Sequence, residues 1–420
     1  MLPAYSKGTV CLSTEGGTVE MATRGVYSEE ELKMLEQWKL DEQNVGWLGD
    51  DPIPEQITYP VFHRVATRDL ILNMANGIQD PNHLWRDENY ARRTRWGAII
   101  APPYFEHCIT HMGRIPPNVP PAVGTATHVA AGIHWEFYKP IRLGDSFRVW
   151  CGQSACEDKT RRDGKGPRMF LITHELKHFN QKDEIVCTRS DRILTMIIPP
   201  AEKGKEPGFI ETMLKMEEYR YTQQELDFIE RVHDEEVIRG DQIRWWEDVN
   251  VDDELQPVVN GPTTFWDQLI EIAGLGINVL DMRRVRKLTP QATVLDPETG
   301  VWHKTIERHL VDKTARLLGD PQAIMIGTMM EHTLGRLITN WMGDDGFLKM
   351  TDFQNRTSVP MGDTVFGRGR VIKKYVQEDG EHVVVLACWL EGIRGFIHTM
   401  GTAKVGLLSR ESVDKDLQRY

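Results

Sequence analysis

The sequence predicts an α+β fold made of two similar lobes, and three observations carry that prediction. A helix-like segment followed by a run of strand-like segments occurs twice, over residues 67–197 and again over 265–407. Each run carries a Gly-Asp turn ahead of its late strands, Gly144-Asp145 and Gly362-Asp363. Between the runs, residues 200–244 are strongly charged and read as a connector. The period is far too long for a solenoid, so this is one duplicated unit rather than a repeat array. With 420 residues the chain exceeds one ordinary core. The division that follows is an N-terminal tail and helix (1–60), a first lobe (61–200), a helical connector (201–244) and a second lobe (245–410).

The elements follow in order. Ser28-Glu29-Glu30-Glu31 is a capping-box pattern, and Leu32, Leu35, Trp38 and Leu40 continue it into a helix over 28–45. Residues 46–60 are rich in Pro, Gly and Asp and read as a loop. The segment 67–76 reads as helix, and YFEHCITHM after Pro102-Pro103 as a short buried helix. Strands are predicted at 133–138, 146–152, 168–178 and 185–197, separated by Gly144-Asp145, Asp163-Gly164 and Lys182-Asp183. Thr222-Gln223-Gln224-Glu225 is a second capping box, with Gly240 as the stop of a helix over 222–239. Phe265–Ala273 and residues 327–341 read as helices, and 364–375, 382–391 and 393–407 as strands.

Composition narrows the function classes. Charged residues make up 27% and hydrophobic residues 40%, and the formal net charge of -12 argues against nucleic acid or an anionic membrane as partner. Six cysteines without a C-x-x-C pair suit neither a disulfide framework nor a zinc site, so a reduced, cytoplasmic compartment is expected. The first residues lack a signal-peptide core, and no run approaches the roughly 18 apolar residues of a membrane span. No G-x-G-x-x-G, P-loop or G-x-S-x-G pattern supports nucleotide redox chemistry, phosphoryl transfer or serine hydrolysis.

The chemistry concentrates in QDPNHLWRDENYA, residues 79–91. Asp80, Asn82, Asp87 and Ala91, followed by IIAPPYF at 99–105, resemble the MaoC-like family of R-specific enoyl-CoA hydratases and acyl dehydratases. That resemblance implies a double hotdog, in which each lobe is a long helix wrapped by an antiparallel sheet. It also implies an acyl-CoA thioester substrate, with coenzyme A as part of the substrate and neither a further cofactor nor a metal. In the family motif an Asp and a His five residues on act on water and the substrate α-carbon. A Gly eighteen residues after the His offers its N–H to the thioester oxygen. Here Trp85 stands at the His position and Pro103 at the Gly position, and proline has no N–H to give. His83 sits two residues too early. The first lobe is therefore expected to be structural, with Trp85, His83 and Asn82 shaping a pocket.

The second lobe departs the other way. His309, Ala315 and Gly327 keep the family spacing, while Lys304 replaces the Asp and Ile306 the Asn. The resemblance then implies His309 as base and Gly327 as oxyanion donor at the start of an apolar helix. Hydration needs a second proton carrier. Glu307, two residues from His309 and on the same side of an extended segment, is the preferred partner. Asp80, reaching from the other lobe, is second, and Asp312 lies close in sequence. Asp80 beside Pro81 and Asn82 also reads as ordinary turn chemistry.

Arg92, Arg93 and Arg95 are candidates for the coenzyme phosphates, or else a solvated helix face. His107 and His111 are four apart, a metal-compatible spacing without a third ligand, and Asp344-Asp345-Gly346 reads as a helix-ending turn. The expected activity is reversible hydration of a 2-enoyl-CoA, in fatty-acid or in steroid and aromatic-acid metabolism. Two alternatives stay open: a hotdog acyl-CoA thioesterase, and a non-catalytic acyl-CoA-binding or partner subunit. Hotdog lobes pair side by side, so one chain supplies a complete pair, and further homodimerisation is expected.

Overall fold

The computed structural model describes residues 28–41, 46–49, 61–111, 125–161, 168–198, 217–277, 281–288 and 293–420. The expected tail, most of the 46–60 loop and the first part of the connector lie outside these residues. The strands are β1 (Gly46–Trp47), β2 (Thr125–Phe137), β3 (Arg148–Asp158), β4 (Arg168–Phe179), β5 (Ile185–Ile198), β6 (Val258–Asn260), β7 (Thr293–Leu295), β8 (Trp302–Lys304), β9 (Phe347–Asn355), β10 (Val365–Val376), β11 (His382–Gly392) and β12 (Ile397–Gly406). The helices are α1 (Glu29–Asp41), α2 (Arg68–Gly77), α3 (Glu88–Ala91), α4 (Glu106–Ile109), α5 (Gln223–Asp234), α6 (Phe265–Gly274), α7 (Met282–Leu288), α8 (Asp312–Leu317), α9 (Gly327–Met342) and α10 (Val413–Asp416).

Ten strands form one sheet in the order β1-β3-β4-β5-β2-β9-β12-β11-β10-β6. The order reads identically from either end, because β9, β12, β11, β10 and β6 occupy the places of β2, β5, β4, β3 and β1. The two lobes are thus related by a pseudo-twofold axis through the antiparallel β2–β9 pair, where Gly132 faces Gln354 and Glu136 faces Met350. This is the double hotdog that the motif implied. The duplicated turns are real: Gly144 and Gly362 both adopt the left-handed backbone region, at φ +92° and +95°. Their Asp neighbours close the turns.

Two predictions need correction. β9 was not expected, although it forms the join between the lobes. The helix of 222–239 stops at Asp234, six residues before Gly240, whose φ of +57° serves a later turn.

Near the axis, α2 packs on α6. Both start behind a threonine cap, with Thr67 accepting from Leu70 N–H and Thr264 from Asp267 N–H, and both end in glycine. A Cβ on Gly77 would lie 2.8 Å from the Ile270 carbonyl oxygen and 2.9 Å from Gly274 Cα. Only glycine allows backbones this close.

The central helix of the second lobe, α9, is buried from Thr328 to Met342. Its first-lobe counterpart α4 is one turn long, and all four of its residues are buried. Gly335 opens space for the Tyr104 ring, which a Cβ there would meet at 2.6 Å.

Several polar groups buried near the central helices are paired. Trp135 Nε1–H donates to the Glu331 carboxyl, and His107 Nε2 lies 2.9 Å from Glu331 Oε2. Arg189 is fully buried and donates to Thr110 O and Asp191 Oδ2, both at 2.9 Å. Burial pushes Glu331 up to about 7 and His107 well below its usual value. The His107–His111 pair has ring centroids 5.8 Å apart, and no group of three or more metal-ligating side chains is arranged around an ion site among the described residues. Nor is any described helix long and apolar enough to cross a membrane.

Candidate functional site

Each lobe presents a motif turn followed by the start of its central helix, so the molecule has two pseudo-equivalent ends. Trp85 closes the 3-10 turn His83–Trp85, and His309 closes the 3-10 turn Thr305–His309. A short helix begins three residues after each, at Glu88 and Asp312. Ala91 and Ala315, six residues after Trp85 and His309, are both fully buried. Pro103 and Gly327 then stand at or before the central helices.

At the second-lobe end, the β7–β8 hairpin delivers the motif turn. Arg308 fixes the turn by an ion pair to Asp320 and by donating to the His128 carbonyl of β2. His309 Nδ1 donates to the Ile324 carbonyl at 3.0 Å. A neutral imidazole has one N–H, so this bond assigns the proton to Nδ1 and leaves the Nε2 lone pair open. Burial lowers the His309 pKa to about 4, with the Arg308 charge acting in the same direction. Three residues after Ile324, α9 begins at Gly327, where the Gly327 and Thr328 N–H groups precede the first intrahelical bond, made by Met329 N–H to the Ile326 carbonyl. A Cβ on Gly327 would meet only Ala130 Cβ, at 3.7 Å, which is ordinary contact. The fold itself does not demand glycine there. Next to it, the buried Thr328 hydroxyl has no hydrogen-bond partner among the described residues.

The expected carboxylate partners stand elsewhere. Glu307 binds His303 Nδ1 and the Lys304 N–H, both at 2.9 Å, instead of His309. Its expected position assumed extended backbone. In the 3-10 turn that forms, side chains two apart diverge. Asp312 accepts from Ala323 N–H and pairs with Arg316. Among the described residues no carboxylate bonds His309. Lys304, at the motif's Asp position, is half-buried, and desolvation lowers its pKa to about 8.

The first-lobe end holds an open pocket walled mainly by Trp85, Pro103, Phe137, Met342 and Phe347. Asp80 is buried, which raises its pKa, and its Oδ1 accepts from Asn82 N–H at 2.9 Å. Asn82 caps the motif turn through Leu84 N–H and donates to Asp344 Oδ1, both at 2.9 Å. Tyr90 also donates to Asp344, at 2.5 Å. Asp87 caps α3 through Asn89 and Tyr90 N–H. His83 is exposed against the Tyr90 ring. No proton-shuttling base takes the His position.

Because this pocket reaches Thr339, Met342 and Asp344 at the far end of α9, it lies a helix length from Gly327. Sixteen residues span about 24 Å. Asn82 and Trp85, which line this pocket, are therefore not part of the His309 site. This corrects the expectation that they would shape its pocket. Arg95 is committed to the carbonyls of Asp345, Asp416 and Leu417, and Arg92 pairs with exposed Glu88. Arg93 lies over the Tyr90 ring. All three belong to the first-lobe end.

Sequence reasoning passed over two features beside His309. One is Gln268, whose role is set by contacts distant in sequence. The other is basic helix α7, which the run MRRVRKL at 282–288 could have revealed. Its Arg286 stacks over Trp302 of β8 at 4.5 Å, which places the helix against the strand leading into the motif turn.

The fold and both ends define a double-hotdog protein. Residues 58–189 match the family model described as FAS1-like, dehydratase domain region. No curated protein matches the sequence. Among solved structures, one described as a MaoC-like dehydratase superposes with a TM-score of 0.56 at 15% identity, covering 88% of this chain and 99% of that one. A MaoC-like dehydratase from Phytophthora capsici gives a TM-score of 0.45 at 14% identity, covering 85% and 98%. A Mycobacterium tuberculosis protein described as having a double hotdog fold gives 0.43 at 10% identity, covering 82% and 93%. The family model and the shared fold support the resemblance to the MaoC-like dehydratases that the motif implied, and with it hydratase or dehydratase chemistry in general.

Proposed function

We propose that the second-lobe site catalyses the reversible hydration of a 2-enoyl thioester, with His309 as the proton carrier. The observation that carries the proposal is the His309 Nδ1–H···O=C bond to Ile324. It holds the ring with a basic Nε2 three residues ahead of a helix start whose glycine the fold does not need. In the hydration direction, Nε2 takes a proton from water as its oxygen bonds to the β-carbon. The π electrons move to the thioester oxygen, where backbone N–H groups at Gly327 stabilise the negative charge. The enolate then collapses and the α-carbon takes the proton from His309. Water adds across the double bond, and dehydration is the same path reversed. In place of the second proton carrier that the sequence leads one to expect, His309 serves both steps in this reading, because proton removal and delivery occur on one face. Lys304, replacing the usual carboxylate, supplies an ammonium or amine close to the motif turn.

The thioester carrier is read as coenzyme A or another phosphate-bearing carrier. Helix α7 supports this: Arg283, Arg286 and Lys287 are exposed, in a chain of net charge -12. A second reading, a non-catalytic acyl-thioester-binding subunit, is favoured by the lack of a carboxylate on His309.

Incubation with enoyl-CoAs of graded chain length and ring content decides between these readings. Loss of enoyl-thioester absorbance without free thiol supports hydration. Thiol release supports a thioesterase. Binding by calorimetry with no turnover supports the binding subunit.

A further inference from the structure

The loop between His309 and the helix start it serves is held by one side chain. Gln268 lies on α6, fully buried. Its Nε2 donates to the Ile324 carbonyl at 3.1 Å, and its Oε1 accepts from Ile326 N–H at 3.0 Å. The Ile324 carbonyl thus receives two donors, His309 Nδ1–H and the Gln268 amide, which fills both of its lone pairs. Ile326 is the cap residue of α9, immediately before Gly327. A single amide therefore fixes the acceptor that sets the His309 tautomer and the residue that sets where the Gly327 N–H points.

The other lobe provides an internal comparison. Gln268 is the fourth residue after the Thr264 cap of α6, and the fourth after the matching Thr67 cap of α2 is Ile71. Ile71 is fully buried and has no amide to give. So the end with Trp85 and Pro103 also lacks the clamp, and the end with His309 and Gly327 has it. Three matched positions differ together.

We infer that Gln268 is a positioning residue for the second-lobe site, holding His309 as the Nδ1–H tautomer and aligning the start of α9. The inference rests on the reading of His309 as the proton carrier. Packing alone requires only that the space be filled, which methionine does at similar volume. Positioning requires the donor and the acceptor.

The test uses the full chain with Gln268→Met and Gln268→Glu. Long-range ¹H–¹⁵N correlations of the histidine rings, assigned with His309→Ala, report the tautomer, and steady-state kinetics are measured on any enoyl thioester the wild type turns over. Gln268→Met is expected to mix the His309 tautomers and lower kcat about 100-fold with KM little changed, the loss typical of a misplaced catalytic group. A protonated glutamic acid can make both glutamine bonds, whereas its anion faces the Ile324 carbonyl oxygen. Gln268→Glu is therefore expected to keep the wild-type tautomer at low pH and lose it as pH rises. Should Gln268→Met fail to fold, Gln268→Glu alone carries the test. A pure Nδ1–H tautomer in the folded variants at all pH values, with unchanged kcat, overturns the inference. Because the tautomer is read without substrate, a wild type that hydrates nothing refutes the proposed function and leaves this test intact.

Discussion

Gly274→Ala places a methyl group where α2 and α6 cross. The new Cβ would lie 2.7 Å from the Asn73 carbonyl oxygen and 2.7 Å from Gly77 Cα, and both are backbone atoms that cannot rotate away. Ordinary contact needs about 3.4 Å or more, so the helices must separate by roughly 0.7 Å. Overpacking of this kind costs ~1–3 kcal/mol. Alanine in a helix recovers ~0.5–1 kcal/mol of backbone entropy. The net expectation is a loss of about 1–2 kcal/mol, read as a melting midpoint lowered by a few degrees in far-UV circular dichroism. Gly77→Ala should behave alike. The double variant should cost less than the sum, because helices already parted accept the second methyl more cheaply. Since α6 also carries Gln268, activity should fall alongside stability. An unchanged or raised midpoint in Gly274→Ala would refute the packing argument.

Further outcomes follow from the same geometry. Gly327→Ala should fold and melt like wild type, since its Cβ meets only Ala130, yet lose hydration activity at least tenfold by crowding the thioester, as kinetics beside a melting curve will show. The pH profile of kcat/KM should fall below about 4, as His309 Nε2 becomes protonated, and a limb near pH 8 would report Lys304. Burial pushes Glu106 up to about 7 from an ordinary 4.5. Its contribution to stability is therefore full below about pH 4.5 and lost as pH rises through about 7, by up to ~3 kcal/mol. Urea midpoints should accordingly fall from pH 5 to 8.5 more in wild type than in Glu106→Gln. Replacing Arg283, Arg286 and Lys287 together by serine should raise KM for a coenzyme A thioester several-fold at low salt, leave kcat unchanged, and lose its effect at high salt.

The duplication and most of its elements were legible because turn chemistry and apolar periodicity are local. Gly144-Asp145 and Gly362-Asp363 announce left-handed turns whatever surrounds them. β9 was missed because FLKMTDFQN lacks clean alternation. It is paired on both sides at the lobe join, and tertiary position decides its state rather than intrinsic preference. Residue identities at the motif positions were readable by spacing, but the partners were not. Glu307 went to His303 because the segment coils into a 3-10 turn, and Gln268 reaches carbonyl and amide groups 56 and 58 residues away. The motif-bearing loop drew attention to Asp80 and Trp85. Only the sheet order and the length of α9 reveal that the Trp85 pocket sits at the opposite end from His309.

The most direct test of that separation compares wild type, His309→Ala and Asp80→Asn on one hydratable enoyl-CoA, with melting curves to verify folding. His309→Ala should lose kcat at least a hundredfold, and folded Asp80→Asn should keep near wild-type kcat. Activity that survives in His309→Ala, or that disappears in a stably folded Asp80→Asn, would contradict a catalytic site in the second lobe.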